Sequence, residues 1–319
     1  MLDTPILFLI FKRPDLTKLV FEQIRAAKPK YLYIAADGPK NDKEKHLCEE
    51  TRNLVIKNID WNCEVKTLFR DENKGLRKGV SESITWFFEN VDEGIILEDD
   101  CIPSPSFFSF CTQMLDKYRN DDKIMHISGE TQLKENMTAD SYYFSNFAHI
   151  WGWATWKRAW NLFDVEMSDY KDFLKQKKIK QISKSKYHQN DWLKVFNKVY
   201  KKEIDSWGYV WIYTLINNNG LSISPNTNLI SNIGFDERAT HTLDNKSNLA
   251  NKNLSVINLE LKHPEEFSID YNIQYNVINK RYNMLDGFSV ERYKVLKILI
   301  REINRAFYKI TKKLSYIRS

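Results

Sequence analysis

The stretch Gly94-Ile95-Ile96-Leu97-Glu98-Asp99-Asp100 decides how the chain is read. A glycine and three aliphatic residues closed by three acids describe a short buried strand that delivers carboxylates to a sheet edge. Working outward, the runs at 6–11, 31–36, 63–69 and 123–127 have the same strand-like character. Helical spacing lies between them. Leu16, Leu19, Val20 and Ile24 share one face after Pro14-Asp15, further helices fit 43–58 and 75–88, and Pro103 opens another through residue 118. Asp37-Gly38-Pro39 and Ser128-Gly129 supply turns. Strand and helix alternating in this way predict an α/β fold, a Rossmann-like and mostly parallel sheet with helices on both faces.

In such a sheet the strand ends share one carboxyl edge, where open α/β sheets bind ligands. That edge gathers Arg13 after the first strand, Asp37 after the second, Arg70, Asp71 and Asn73 after the third, and the three acids after the fourth. Cations and acids converge on one rim.

Composition bounds the rest. Hydrophobic content of 42%, with 13% aromatic, is enough for a real core. No apolar run is long enough for a spanning helix. The run at 6–11 is short, follows Asp3 and lacks a small-residue cleavage site, so it reads as a strand and not a signal segment. Cys48, Cys63, Cys101 and Cys111 form no CxxC pair, which points to a reduced cytoplasmic setting without a zinc site. Residues 291–319 carry nine Lys/Arg against two Glu, a net +7, so the total of +6 leaves −1 for the other 290 residues. The body of the chain has no basic bias, and nucleic acid is not expected as a partner.

The pattern changes near residue 140. Tyr142 to Trp160 is dense in aromatics, 165–203 is Lys-rich and helical, and 204–243 mixes aromatics with a polar loop. The chain is read as a first half (1–130) expected to bind a nucleotide sugar, a second half of the same domain (131–265) expected to bind an acceptor, and a basic helical tail (266–319).

Three adjacent acids raise one another's pKa, and a divalent cation reverses that cost. Hard oxygen donors at a strand end suit Mg²⁺ or Mn²⁺ bridging to a diphosphate. Strand residues alternate faces, so the acids cannot all point one way. Asp100 is expected to reach the metal, and Asp99 to orient ribose or a metal-bound water. A second reading has the acids cap the helix opening near Pro103, with Ser104 helping.

Glu98-Asp99-Asp100-Cys101-Ile102-Pro103-Ser104-Pro105-Ser106-Phe107-Phe108 resembles the acidic segment of GT-A glycosyltransferases related to N-acetylglucosaminyltransferase I, which also runs from an acidic triplet through proline to Phe-Phe. The wider chain resembles the bacterial HlpA-like "hemolytic protein" family. Its matching stretches include Phe11-Lys12-Arg13-Pro14-Asp15, Ala36-Asp37-Gly38-Pro39, Asn73-Lys74-Gly75-Leu76, Gly152-Trp153-Ala154-Thr155-Trp156, Asp205-Ser206-Trp207, Asn232-Ile233-Gly234 and Thr240-His241-Thr242. The resemblance implies a GT-A fold and a hexosyl- or N-acetylhexosaminyltransferase of surface-polysaccharide synthesis. It would draw on a nucleotide-sugar donor, UDP-sugar favoured, and serve a glycan or lipid-linked acceptor.

The resemblance also implies roles. Arg13, Asp37, Gly38, Asn73, Arg77 and Asp99 would bind the donor, and Asp100 and His241 the metal. Asp205 would be the base that deprotonates the acceptor, with inversion. Its position is shifted from the N-acetylglucosaminyltransferase I pattern, and a helix N-cap is the other reading. Trp151, Trp153 and Trp207 would stack on acceptor sugar, while Trp156 and Trp160 read as core. Asp37-Gly38-Pro39 also reads as an ordinary turn, Arg77 as a solvated helix residue, and His241 as structural.

In the tail, Leu296, Ile300, Ile303, Phe307, Ile310, Leu314 and Ile317 form an apolar stripe among cations. That pattern suits a helix peripheral on anionic lipid, docked on the domain, or in a dimer seam. Two other functions stay open: a sugar-1-phosphate nucleotidyltransferase, and a non-catalytic sugar-binding protein. The first normally carries a Gly-rich loop after strand one, where this chain has Lys12-Arg13-Pro14.

Overall fold

The apolar runs become strands close to where the sequence places them. The computed structural model describes residues 1–133, 137–235 and 250–278, with 271, 272 and 275 excepted. The first half runs β1 (Ile6–Ile10), α1 (Pro14–Ala27), β2 (Tyr31–Ala36), α2 (Asp42–Lys57), β3 (Glu64–Phe69), α3 (Leu76–Asn90), β4 (Glu93–Glu98), β5 (Cys101–Pro103), α4 (Pro105–Lys117) and β6 (Ile124–Ser128). The second half adds β7 (Tyr142–Ser145), β8 (Trp153–Trp156), α5 (Lys157–Trp160), α6 (Tyr170–Lys175), α7 (Lys186–Tyr200), α8 (Trp207–Asn217), β9 (Leu221–Pro225) and β10 (Ile230–Asn232).

Eight strands form one mixed sheet in the order β3-β2-β1-β4-β8-β6-β9-β7. β1 pairs in parallel with β2 and β4, β2 with β3, and β6 with β9. β8 runs antiparallel to both β4 and β6, and β7 antiparallel to β9. The mostly parallel α/β sheet expected from the sequence is therefore the fold.

Helices cover both faces, which is why β1 is apolar at every position. Ile6, Phe8 and Ile10 pack with Val20, Phe21 and Ile24 of α1 and with Phe107 and Met114 of α4. Leu7 and Leu9 join Ile84 and Phe87 of α3 and Trp211 of α8 on the other face. Removing a fully buried phenylalanine from such a layer costs about 3–5 kcal/mol.

The second half corrects part of the aromatic reading. Trp153 and Trp207 are almost fully buried and stack on each other at 5.7 Å. Their rings belong to the core and offer no face to a sugar. Trp156 and Trp160 are also buried, in the core role expected of them.

A narrow hinge of glycines then brings late sequence back to the carboxyl edge. Gly129 N–H donates to the Gly152 carbonyl at 2.8 Å, and Ile230 lies over both residues. A Cβ on either would run into Ile230, and Gly152 also has φ of +60°. β10 is thereby laid antiparallel on β5, with Asn232 opposite Cys101.

Among the described residues no helix is long and apolar enough to cross a membrane. His241 and the stripe at 291–319 lie outside the described residues.

His126 on β6 is fully buried against Trp153 at 5.0 Å. The Trp211 indole donates to His126 Nδ1 at 3.1 Å. Nε2 therefore carries the proton and donates to the His149 carbonyl at 3.0 Å. Burial pushes this imidazole down from 6.5 to about 3, against the hydrogen bond to His149. Between those values the unfolded chain binds the proton and the native chain does not, so stability is lost as pH falls below 6.5. The expected loss at pH 4.5 is about 2–3 kcal/mol from this group. His126→Phe should be less stable at pH 7, because two buried polar groups lose partners, yet its stability should change less between pH 7 and 4.5. Urea melts at the two pH values check this.

Candidate functional site

Glu98 is the last residue of β4, and Asp99 and Asp100 form the turn that leads to β5. β5 separates them from α4, which begins only at Pro105, and Ser104 at the cap position meets the Ser106 hydroxyl, not a backbone N–H. The acids therefore do not cap that helix. Instead they face the end of β1. Asp99 Oδ2 accepts from the backbone N–H of Phe11 at 3.2 Å, and Asp99 Oδ1 from Arg13 Nη2 at 2.6 Å. The same Arg13 nitrogen donates to Asp100 Oδ2 at 2.7 Å. Arg13 is placed for this because it is the N-cap residue of α1, fixed by Pro14 at the first turn.

The electrostatics follow from three acids against one guanidinium. Burial works against the Arg13 charge, but Asp99 and Asp100 outweigh it and raise its pKa. Burial, with Asp100 and Asp99 beside it, pushes Glu98 up to about 8. Burial raises Asp99 to about 6, with Arg13 pulling the other way. Among the described residues Glu98 shows no hydrogen-bonded partner for its carboxylate.

A divalent cation fits this donor set. The donors are hard oxygens, their charge exceeds that of the single guanidinium, and Asp100 reaches the surface with 15% side-chain exposure. Among the described residues no three His, Cys, Asp or Glu side chains form a metal cage. A cation there would take its remaining ligands from water and phosphate, as Mg²⁺ commonly does.

A second wall stands beside the acids. Asp37 accepts from the backbone N–H groups of Gly38 at 3.1 Å and Lys74 at 3.0 Å. Asn73 donates to the Gly38 carbonyl at 2.7 Å and accepts from Gly75 N–H at 3.1 Å. The loops after β2 and β3 are thus zipped together, and Gly38 has no room for a side chain against the Glu72 backbone. They border a cleft of about 510 Å³, measured to its open mouth, lined by Phe11, Asp37, Asn73, Gly75 and Gly79 among others. Phe11 belongs to both walls: it lines the cleft and donates to Asp99.

Of the other expected site residues Arg77 is placed otherwise, and Asp205 and Trp151 have partners of their own. Arg77 is buried, and its guanidinium donates to the carbonyls of Val199, at 2.9 Å, and Val165. It ties α3 to the chain around α7, which corrects both the donor-contact and the solvated-helix readings. Asp205 is exposed and caps α3, accepting from Arg77 N–H at 3.2 Å, while Ser206 caps α8. The N-cap chemistry is there, but on a different helix. Trp151 is half-buried and meets Phe235 edge-on at 5.6 Å, beside Gly234.

Gly234 is the residue the sequence reading passed over as a site. Ile233 N–H donates to the Asp100 carbonyl at 2.9 Å, and a Cβ on Gly234 would overlap the Asp100 carboxylate. Only its place in the Asn232-Ile233-Gly234 stretch marked it in the sequence.

No protein-family profile matches the chain, and no curated protein matches it. Among solved structures, HddC from Yersinia pseudotuberculosis aligns with TM-score 0.31 and 11% identity over 50% of this chain and 78% of its own. The inositol-1-phosphate CTP transferase from T. maritima aligns with TM-score 0.30 and 10% identity over 51% of this chain and 75% of its own. Likeness at this level carries no statement about activity.

Two outcomes are expected. Gly234→Ala should displace the Asp100 carboxylate, costing about 1–3 kcal/mol by overpacking. The melting temperature should drop accordingly while the far-ultraviolet circular dichroism stays that of the parent. In EDTA, the raised Glu98 makes the native chain bind more protons than the unfolded chain between 4.5 and about 8. The Glu98 contribution to stability should therefore fall as pH rises through that window, and above 6.5, where His126 no longer titrates, Glu98→Gln should flatten the melting temperature up to pH 8.

Proposed function

We propose that the chain is a metal-assisted glycosyltransferase that moves a sugar from a nucleoside diphosphate donor, UDP-sugar favoured, to a hydroxyl of a glycan or lipid-linked acceptor. The supporting observation is the sharing of Phe11 between the acid cluster and the cleft at the ends of β1 and β2. A nucleoside in the cleft has its diphosphate directed toward Arg13, Asp99 and Asp100. Asp37 and Asn73 line the cleft for the nucleoside, with Gly38 joining their loops behind it, and Arg13 supplies a cation for the phosphates. Asp100, with Asp99 behind it, would hold Mn²⁺ or Mg²⁺, which supplies Lewis-acid stabilisation of the leaving diphosphate. His241 is kept as a proposed further ligand.

In the transfer, the acceptor oxygen bonds to the anomeric carbon as the bond from that carbon to the diphosphate breaks. The hydroxyl proton passes to a carboxylate, for which Asp205 is the proposed base, and the anomeric centre inverts. Asp205 is exposed, with only one oxygen on the α3 N–H. Of the three tryptophans expected at the acceptor, Trp151 is the one that is not fully buried, and it is the proposed contact for an acceptor sugar. The basic tail is proposed to bring the enzyme to an anionic membrane surface where a lipid-linked acceptor resides.

A nucleotidyltransferase is disfavoured by the end of β1, which passes through Lys12-Arg13 straight into α1 with no glycine-rich loop.

A thermal-shift screen of UDP-, GDP-, CMP- and dTDP-sugars with and without Mn²⁺ tests the reading. One donor should raise the melting temperature in a Mn²⁺-dependent way, and Asp100→Ala should abolish that rise. Hydrolysis or transfer of that donor should fall at least about 100-fold in the variant. No shift with any donor would sink the proposal. Pyrophosphate release from a nucleoside triphosphate and a sugar-1-phosphate would replace it with the nucleotidyltransferase reading.

A further inference from the structure

We infer that Arg13 is a resident counter-ion that holds the acid cluster closed to cations until a diphosphate draws it off, so that cation and nucleotide bind as a coupled pair. The inference rests on the donor and metal reading given above.

Three observations carry it. First, a single nitrogen, Nη2, lies 2.6 Å from Asp99 and 2.7 Å from Asp100, with the Arg13 side chain only 16% exposed. One of the two Asp100 oxygens, Oδ2, is already occupied by a positive group, which also stands against a cation approaching the other. Second, the two acids are held unequally. Asp99 keeps the Phe11 N–H if Arg13 leaves, whereas Asp100 has besides Arg13 only the weak Cys101 thiol at 3.3 Å. Departure of Arg13 therefore frees Asp100 in particular. Third, Arg13 Nε and Nη1 have no hydrogen-bond acceptor among the described residues. A planar fork with unused donors, two residues from a cleft-lining phenylalanine, suits the paired oxygens of a diphosphate.

The coupling follows from these charges. A cation arriving alone must displace the guanidinium from buried carboxylates or sit beside it against like-charge repulsion. A diphosphate arriving alone meets the net negative charge of the acids. Together each relieves the other's obstacle, and linkage makes the gain reciprocal.

The test is one substitution read by two ligands. Mn²⁺ binding at pH 8, followed by the electron paramagnetic resonance of the free ion, should tighten about tenfold in Arg13→Gln, within the usual 5–150-fold range of coupling. Calorimetric affinity for UDP, GDP or CDP at saturating Mn²⁺, for whichever the parent binds, should weaken about tenfold. Arg13→Lys, which keeps the charge but loses the fork, should fall between parent and Arg13→Gln for both ligands and guards against a folding defect. Opposite signs for the two ligands support the inference. Weakening of both marks Arg13 as a structural brace, and no change in either marks it as idle; each overturns the inference and leaves the proposed function standing. Absence of Mn²⁺ and nucleotide binding in all three proteins overturns both.

Discussion

Burying carboxylates at the end of a strand, with one guanidinium to answer them, is the constraint around which the rest of the molecule is arranged. Ionised acids out of water are costly unless paired. Arg13 is anchored by Pro14 and the first turn of α1, so the pairing fixes the end of β1 against the end of β4. The Phe11 N–H grips the other oxygen of Asp99 and makes that junction two-point. The cleft beside it inherits this rigidity, since its nearest wall is the same phenylalanine.

Much of the first half could be read from residues alone. β1, β2, β4 and β6 are mainly apolar runs bounded by turn chemistry, β3 is a more polar and exposed edge strand, and their local patterns agree with the tertiary answer. Even the meeting of the ends of β1 and β4 could be read, because consecutive parallel strands put their carboxyl ends on one edge. The zipped loops of Asp37 and Asn73 were half visible: the rim was expected, their bonds to each other were not.

What escaped the sequence is what depends on late chain returning to early chain. Nothing local marks Gly234 as the back wall of Asp100, because its importance lies in the space it leaves and not in a group it offers. Trp153 and Trp207 carry the same residue type whether they face sugar or core, and only the stacking of β8 on α8 separates the two. Arg77 looks like a surface cation on a helix until the carbonyls of Val165 and Val199 are found around it. Asp205 has the right chemistry for a cap, yet the helix it caps lies far back in the chain at α3.

The placing of β8 between β4 and β6 has a consequence for synthesis. β4 ends at Glu98, but the strand that covers its free edge begins at Trp153. At roughly 5–20 residues per second, a ribosome leaves that edge uncovered for several seconds. During that time the apolar ladder of Ile95 and Ile96 is open to any other strand. β6 emerges first and is the nearest wrong partner, and it would have to pair in parallel where β8 belongs. The nascent chain must therefore tolerate a vacant slot in the middle of its sheet, a demand on translation and chaperoning that the finished fold conceals.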